Sequence, residues 1–412
     1  MVEFQALIAW LLSFLGAYEP IIKFVSYIVG PILALVAFWW NRRDRKELVA
    51  QAEALGVARA ASEQAQAAAS QKQKEVDAAR QEIEARGAQV AKLRGDLESI
   101  TEGAQALWKL RPPKEFNEYK IWMRAPEGAK IITIGNLKGG VGKTTLAANF
   151  AAYVSATRDK PVLLIDLDYQ GSLSNMLMLA IEREEVESRV DWLFEESANL
   201  ATMERARVHL VPKINRGWLV PANYTFAQLE NQLLLKWLLQ QDGGLDVRYR
   251  LASALLRPEV RASYAAIVLD MPPRMTLGSI NALVASHAFV VPTVLDSLSV
   301  EAVSQFLTNM KAIKGDLGLD LDLAGIVGMM TRQTKPSERE ARGLELAQES
   351  GRIWRENTDY VFKATLPRKV DIANAAGEDI AYFGSDGEGP LKRFFDPLFE
   401  EICTAVWKGN GP

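Results

Sequence analysis

The sequence predicts an α/β fold class: a doubly wound, mostly parallel sheet forming a P-loop domain, preceded by a transmembrane segment and a long helical coiled coil. Three observations in the 412 residues predict it. A charge-free apolar run lies near the N-terminus, and a seven-residue apolar repeat follows it. Beyond residue 127, short apolar strands alternate with helical stretches. The expected divisions are 1–40 as anchor, 41–110 as coiled-coil stalk, 111–126 as linker and 127–412 as the α/β domain.

The anchor comes first. "FVSYIVGPILALVAFWW", Phe24 to Trp40, carries no charge, and Ile21 and Ile22 extend it past Lys23. About 20 mostly apolar residues span a bilayer core, so 21–40 qualifies if Lys23 snorkels outward. Trp39 and Trp40 fall where an aromatic interface belt would lie, and the basic "NRRDRK" behind them predicts a cytoplasmic downstream side. This places the protein at the inner, cytoplasmic membrane. The earlier uncharged stretch Phe4 to Tyr18 is either an interfacial helix or the first arm of a hairpin. Single-span and hairpin topologies both stay open.

Residues 41–108 contain no proline and are rich in alanine and charge. Val76, Ile83, Val90 and Leu97 lie seven apart, with Leu48, Leu55, Ser62 and Ala69 in the same register. That repeat predicts a coiled coil, roughly 90–100 Å long at 1.5 Å per residue. "RPPKEFNEYK", Arg111 to Lys120, reads as a hinge that ends the helix.

In the last division, "KIITIGNL", "PVLLIDLD", "YAAIVLDMPP", "HAFVVPTV" and "DLAGIVGMM" are continuous apolar runs, as expected of strands buried on both faces of a parallel sheet. The first leads into "NLKGGVGKTT", Asn136 to Thr145, and a helix follows. Strand, glycine-rich turn and helix are the context a phosphate cradle needs, because successive N–H groups and the helix N-terminus face the anion. The candidate nucleotide-binding residues are Lys138, Gly139, Gly140, Val141, Gly142, Lys143, Thr144 and Thr145. Lys143 would bridge phosphate oxygens and Thr144 would ligate Mg²⁺. Asp166, Asp168 and Asp270 end predicted strands, at the sheet edge where α/β domains bind ligands. Asp166 and Asp270 join Thr144 as candidate metal residues. The usual first glycine of the loop is replaced by Leu137, and Lys138 adds a second lysine.

Composition excludes other classes. The net charge of -3 creates no global basic field for nucleic acid. One cysteine, Cys403, rules out an intramolecular disulfide framework. His209 and His287 lack ligand spacing and read as packing or surface residues.

"KGGVGKTT" resembles the deviant Walker A loop of the ParA/MinD family of ATPases, and the similarity continues through "LLIDLDYQGSLS", "VLDMPPRMTLGSINAL" and "LPRKVDIANAAGEDIAYF". The partition-ATPase branch is the nearer one. The resemblance implies a slow, partner-stimulated ATPase with ATP and Mg²⁺ as cofactors, and a homodimer that sandwiches ATP. In it Lys138 would reach the phosphates of the other copy and Asp168 would position the attacking water, making Lys138, Lys143 and Asp168 the catalytic set. Asp270 would serve the metal, 270–277 would be the second switch, and Leu366, Pro367 and Arg368 would approach the adenine. The membrane segment and stalk depart from the family pattern and argue against free diffusion over a nucleoid. Arg332, Lys335, Arg339, Arg342, Arg352 and Arg355 could form a DNA-binding patch, but interleaved acidic residues favour a solvated mixed-charge helix.

The leading expectation is a membrane-anchored, ATP-dependent dimerisation switch acting on an unidentified protein partner or cargo. A slow nucleotide-gated membrane scaffold, in a defence or assembly complex, is the alternative. A bacterial tyrosine autokinase fits less well, since "FEEICTAVWKGNGP" has no tyrosine cluster, and iron–sulfur reductases would need a second cysteine.

Overall fold

Contacts divide the chain into two units, Met1–Gly95 and Asp96–Pro412. The computed structural model describes residues 24–32, 45–100, 106–183, 187–332, 337–375, 379–383 and 391–408. Most of the expected span 21–40, and all of the stretch Phe4 to Tyr18, lie outside these. Residues 24–32 are helical, with Phe24, Tyr27, Ile28, Val29 and Ile32 exposed. Among the described residues no helix is long and apolar enough to cross a membrane.

Helix α1, Arg45–Ile100, runs unbroken for 56 residues, about 84 Å at 1.5 Å per residue. Alanine and long polar side chains favour helix strongly enough to carry it through Gly56 and Gly87. Between residues 55 and 88 the half-buried positions are Leu55, Ser62, Ala69 and Val76, which are seven apart and lie in the register read from sequence. Ile83, the next in that register, is 40% exposed.

The second unit opens with two short helices, α2 (Ala106–Lys109) and α3 (Glu118–Arg124). Strand β1 (Lys130–Ile134), helix α4 (Lys143–Thr157), β2 (Val162–Asp166) and α5 (Ser172–Ala180) follow. Then come α6 (Leu200–Ala206), β3 (Val208–His209), β4 (Gly217–Val220), α7 (Thr225–Leu238), α8 (Arg250–Leu255), α9 (Pro258–Ala262) and β5 (Ala266–Asp270). Helix α10 (Leu277–Ala285), β6 (Ala288–Val294), α11 (Ser297–Leu317), β7 (Asp322–Thr331) and α12 (Glu338–Arg352) lead to β8 (Leu366–Pro367), α13 (Val370–Ala375) and α14 (Lys392–Lys408). The strand order is β3-β4-β2-β5-β1-β6-β7-β8, parallel throughout except at β3. All five strands expected from apolar runs are present. Strands β3, β4 and β8 were not anticipated, because segments of two to four residues are too short to show a period.

The order reverses around β1, which is flanked by β5 and β6. Strands β1, β2 and β5 are wholly or almost wholly buried, as continuous apolar sequence requires between two helical layers. One layer contains α10 and α11, and the other contains α4 and α14.

Residues 106–126, which include the expected linker 111–126, pack as a strap on the α/β domain. Trp108 is 2% exposed and its ring lies 5.8 Å from that of Trp237. Arg248, fully buried, donates to the carbonyls of Trp108 (2.7 Å) and Arg111 (3.1 Å) and pairs with Asp246 at 2.7 Å. Burial opposes ionisation of Asp246, but the Arg248 guanidinium holds its carboxyl below the usual range. The Tyr119 hydroxyl donates to the Val284 carbonyl at 2.9 Å, and Phe116 and Tyr119 each pack edge to face with Tyr249. The two prolines end the helix, as read, but the flanking aromatics supply an apolar face that must be buried.

Helix α12 carries Arg339 and Arg342 on its exposed side and buries Gly343, Ala347 and Ser350. Arg355 pairs with Asp322 at 3.6 Å, and Lys335 lies outside the described residues.

Candidate active site

Strands β1, β2 and β5 end together, so the loop after β1, Asp166 and Asp270 meet at one edge of the sheet. Asp166 and Asp270 are register partners across β2 and β5. The loop base is fixed by the buried Asn136, whose amide donates to the Pro292 carbonyl at 2.8 Å while its carbonyl accepts the Lys138 N–H at 3.0 Å. Leu137 packs on the core, which explains an apolar residue at a position where glycine is usual. Gly142 precedes α4 with φ +86°, and a Cβ there would lie 2.7 Å from Met329. The left-handed backbone favours glycine; the Met329 methyl, the end of a flexible side chain, could move aside.

Gly139 and Gly140 are exposed, Val141 is buried, and Thr144 and Thr145 are half-buried in the first turn of α4. Lys143 is 8% exposed and donates to the Lys138 carbonyl at 2.9 Å, so its ammonium already lies within the loop. Burial lowers its pKa, and Asp270 and Asp168 act against that. Lys138 points elsewhere: its ammonium donates to the Ser299 hydroxyl at 2.7 Å. Ser299 in turn donates to Asp296 at 2.9 Å from both its N–H and its hydroxyl. Burial works against ionisation of Asp296, but these bonds and the Lys138 charge keep its carboxyl below the ordinary range.

Thr144 donates to Asp270 Oδ2 at 2.7 Å, while Asp270 Oδ1 is buried with no hydrogen-bond partner. Burial, then Asp166 beside it, raise the Asp270 pKa well above the carboxylate range. Burial also pushes Asp166 up to about 7, against the hydrogen bonds it accepts. Two adjoining buried carboxylates with one orphaned oxygen and a hydroxyl at 2.7 Å fit a divalent cation such as Mg²⁺. Thr144 and Asp270 would hold it. Asp166, the other expected metal residue, accepts the Asp168 N–H (3.0 Å) on Oδ1 and the Ser174 N–H (2.9 Å) and hydroxyl (2.7 Å) on Oδ2. It fixes the turn that carries Asp168 and adds negative charge behind Asp270. Asp168 is half-buried and accepts the Gln170 N–H at 3.0 Å.

Pro367 is buried on β8, beside β7, whose Met329 touches the loop glycine. The second switch, Asp270 to Leu277, leads into α10, where the buried Glu230 accepts the Gly278 N–H at 2.7 Å. Arg274 on that loop donates to the Tyr169 hydroxyl and lies 5.1 Å above its ring, joining the loops that follow β5 and β2. Asn136, Ser174, Glu230 and Ser299 were not singled out in the sequence. Their partners lie 2 to 161 residues away, and only Asn136 stands inside the recognised loop.

Fold and site together define a P-loop ATPase. A family model described as "AAA domain" matches residues 129–323. The sporulation initiation inhibitor protein Soj of Bacillus subtilis is 31% identical over 60% of this chain and 87% of its own. The chromosome partitioning protein ParA of Caulobacter vibrioides is 29% identical over 60% of this chain and 83% of its own. The fold also matches the structure of apo McdA from Cyanothece, with a TM-score of 0.52 and 19% identity over 66% of this chain and 99% of that one. The chain belongs to the Soj/ParA family of partition ATPases, and its cofactors are ATP and Mg²⁺.

Proposed function

We propose that this protein is a membrane-anchored, ATP-dependent dimerisation switch that positions, recruits or releases a partner. The observation that carries the proposal is the separation of the two loop lysines. Lys143 lies within the cradle of its own subunit, whereas Lys138 stands at the rim with its ammonium on Ser299. A second lysine placed there is suited to the phosphates of an apposed copy.

The residues divide the work accordingly. The loop N–H groups and Lys143 bind the phosphates, and Asp168, fixed by Asp166, orients the attacking water. Thr144 and Asp270 would hold a magnesium ion, which would supply neutralisation of phosphate charge. Lys138 joins from the other copy, so turnover and dimer contact become linked. Anchoring is supported by the charge-free run 24–40 and by the exposed apolar residues of 24–32. The heptad register of α1 supports a stalk that pairs with a second copy.

The test is Lys138→Ala in a chain lacking residues 1–104, which keeps the strap and removes the stalk. This variant should bind ATP as a monomer. Two charge-assisted contacts would be lost, so dimerisation should weaken by a factor on the order of a hundred or more. Lys143→Ala should lose phosphate binding itself. ATP-dependent dimerisation of Lys138→Ala equal to that of its parent would refute the proposal.

A further inference from the structure

A cavity of about 340 Å³ opens at the sheet edge opposite the phosphate loop, where β1, β6 and β7 begin. That volume suits a small molecule. Its wall carries Arg124, Lys130, Lys314 and Arg355 against Asp320 and Asp322, four cations to two carboxylates. Arg124 is taken by Asp320 at 2.6 Å, Arg355 by Asp322 at 3.6 Å, and Lys314 by the Leu321 carbonyl at 2.6 Å. Lys130, half-buried at the start of β1, has no partner among the described residues.

His287 adds a second unmatched donor. Its Nδ1 accepts the Ile131 N–H at 3.1 Å, which leaves the ring proton on Nε2. Nε2 is buried and makes no hydrogen bond, although the Met123 carbonyl is near the ring. Burial first, then the charges of Arg261 and Lys130, push the ring down to about 3, so it stays neutral. Burial and Arg261 also lower the pKa of Lys130. The cavity therefore holds an unpartnered ammonium and an imidazole N–H with only the Met123 carbonyl near it, in a lining with more cations than carboxylates. Water could accept from both, but it would leave that charge unbalanced.

We propose that this basal cavity binds a small dianion, a carboxylate or a phosphate, with Lys130 and His287 as donors. Met123 from the strap and Val406 from α14 form part of its wall. That enclosure favours a free anion over an acidic side chain of another protein.

The test uses the full chain with its phosphate loop saturated with a non-hydrolysable Mg·ATP analogue, whose three phosphates fill the loop so that an added anion is excluded there. Malonate and inorganic phosphate are titrated calorimetrically in parallel, with sodium chloride holding ionic strength constant. At least one should bind saturably. Lys130→Gln should weaken that binding at least about tenfold, the loss of one charge-assisted hydrogen bond. Asp320→Asn, which frees Arg124, should tighten it, and Lys130→Arg should retain it. Affinity for Mg·ADP checks that each variant is folded; should Lys130→Gln fail that check, the sign of the Asp320→Asn effect decides. Absence of saturable binding by either anion, Lys130→Gln binding like the parent, or binding by an acidic peptide alone overturns the proposal.

Discussion

The Lys138 ammonium lies 2.7 Å from the Ser299 hydroxyl of its own subunit, and that hydroxyl is in turn bonded to Asp296 at 2.9 Å. Any reach of Lys138 towards another copy must first break this contact. Ser299→Ala should therefore leave ATP binding by the monomer unchanged and make ATP-dependent dimerisation tighter by a few-fold, since one charge-assisted bond no longer competes. Analytical ultracentrifugation of the chain lacking residues 1–104 measures this. Weaker dimerisation would mean that Ser299 aids Lys138 instead of holding it back.

Asp168→Ala should keep Mg·ATP binding and lose at least about a hundredfold in turnover, because the phosphate cradle remains while the water is unplaced. Single-turnover hydrolysis separates the two. Turnover at the parent rate would make Asp168 a structural strand-end residue.

The paired carboxylates make a pH prediction. A buried carboxyl whose folded pKa lies above its unfolded value stabilises the fold less as pH rises from the unfolded value through the folded one. With Asp166 at about 7 and Asp270 raised as well, the nucleotide-free protein should lose stability between about pH 4 and 7. Mg·ATP should flatten that slope. Asp270→Asn should raise Tm at pH 8 without nucleotide and abolish the additional Mg²⁺-dependent rise; a lower Tm would contradict the coupling.

The strap should be indispensable to the domain. A chain beginning at residue 105 should fold, whereas one beginning at 127 should lose Trp108, Phe116 and Tyr119 from the core and leave Arg248 without two of its acceptors. Trp108→Ala should cost about 3–5 kcal/mol. Urea denaturation tests both, and equal midpoints would restore the hinge.

The anchor makes the last prediction. Deleting residues 1–40 should release the protein from membranes, since 21–40 is the charge-poor run of spanning length. Carbonate-resistant pelleting of the shortened chain would place the anchor elsewhere.

Much of the site was legible because it is local. The loop, its lysines and Thr144 lie within ten residues, and Asp166 and Asp270 close apolar runs that could only be buried strands. Asp166 shows the limit of such reading. Spacing identified a carboxylate at a strand end, but only the fold brought Ser174, eight residues on, to its Oδ2 while the Asp168 N–H takes Oδ1.

By itself, then, the sequence determined five buried strands in their order, the phosphate-loop context and the seven-residue register of α1 through Val76. Each rests on periodicity or on neighbours within a few residues. The tertiary structure alone decided that residues 106–126 are a strap, that Glu230 accepts the Gly278 N–H in α10 and that Lys138 is seated on Ser299. It also brought Lys130 and His287 to one cavity across 157 residues. These depend on which distant side chains a buried donor or charge can reach, and desolvation settles that only once the sheet is assembled.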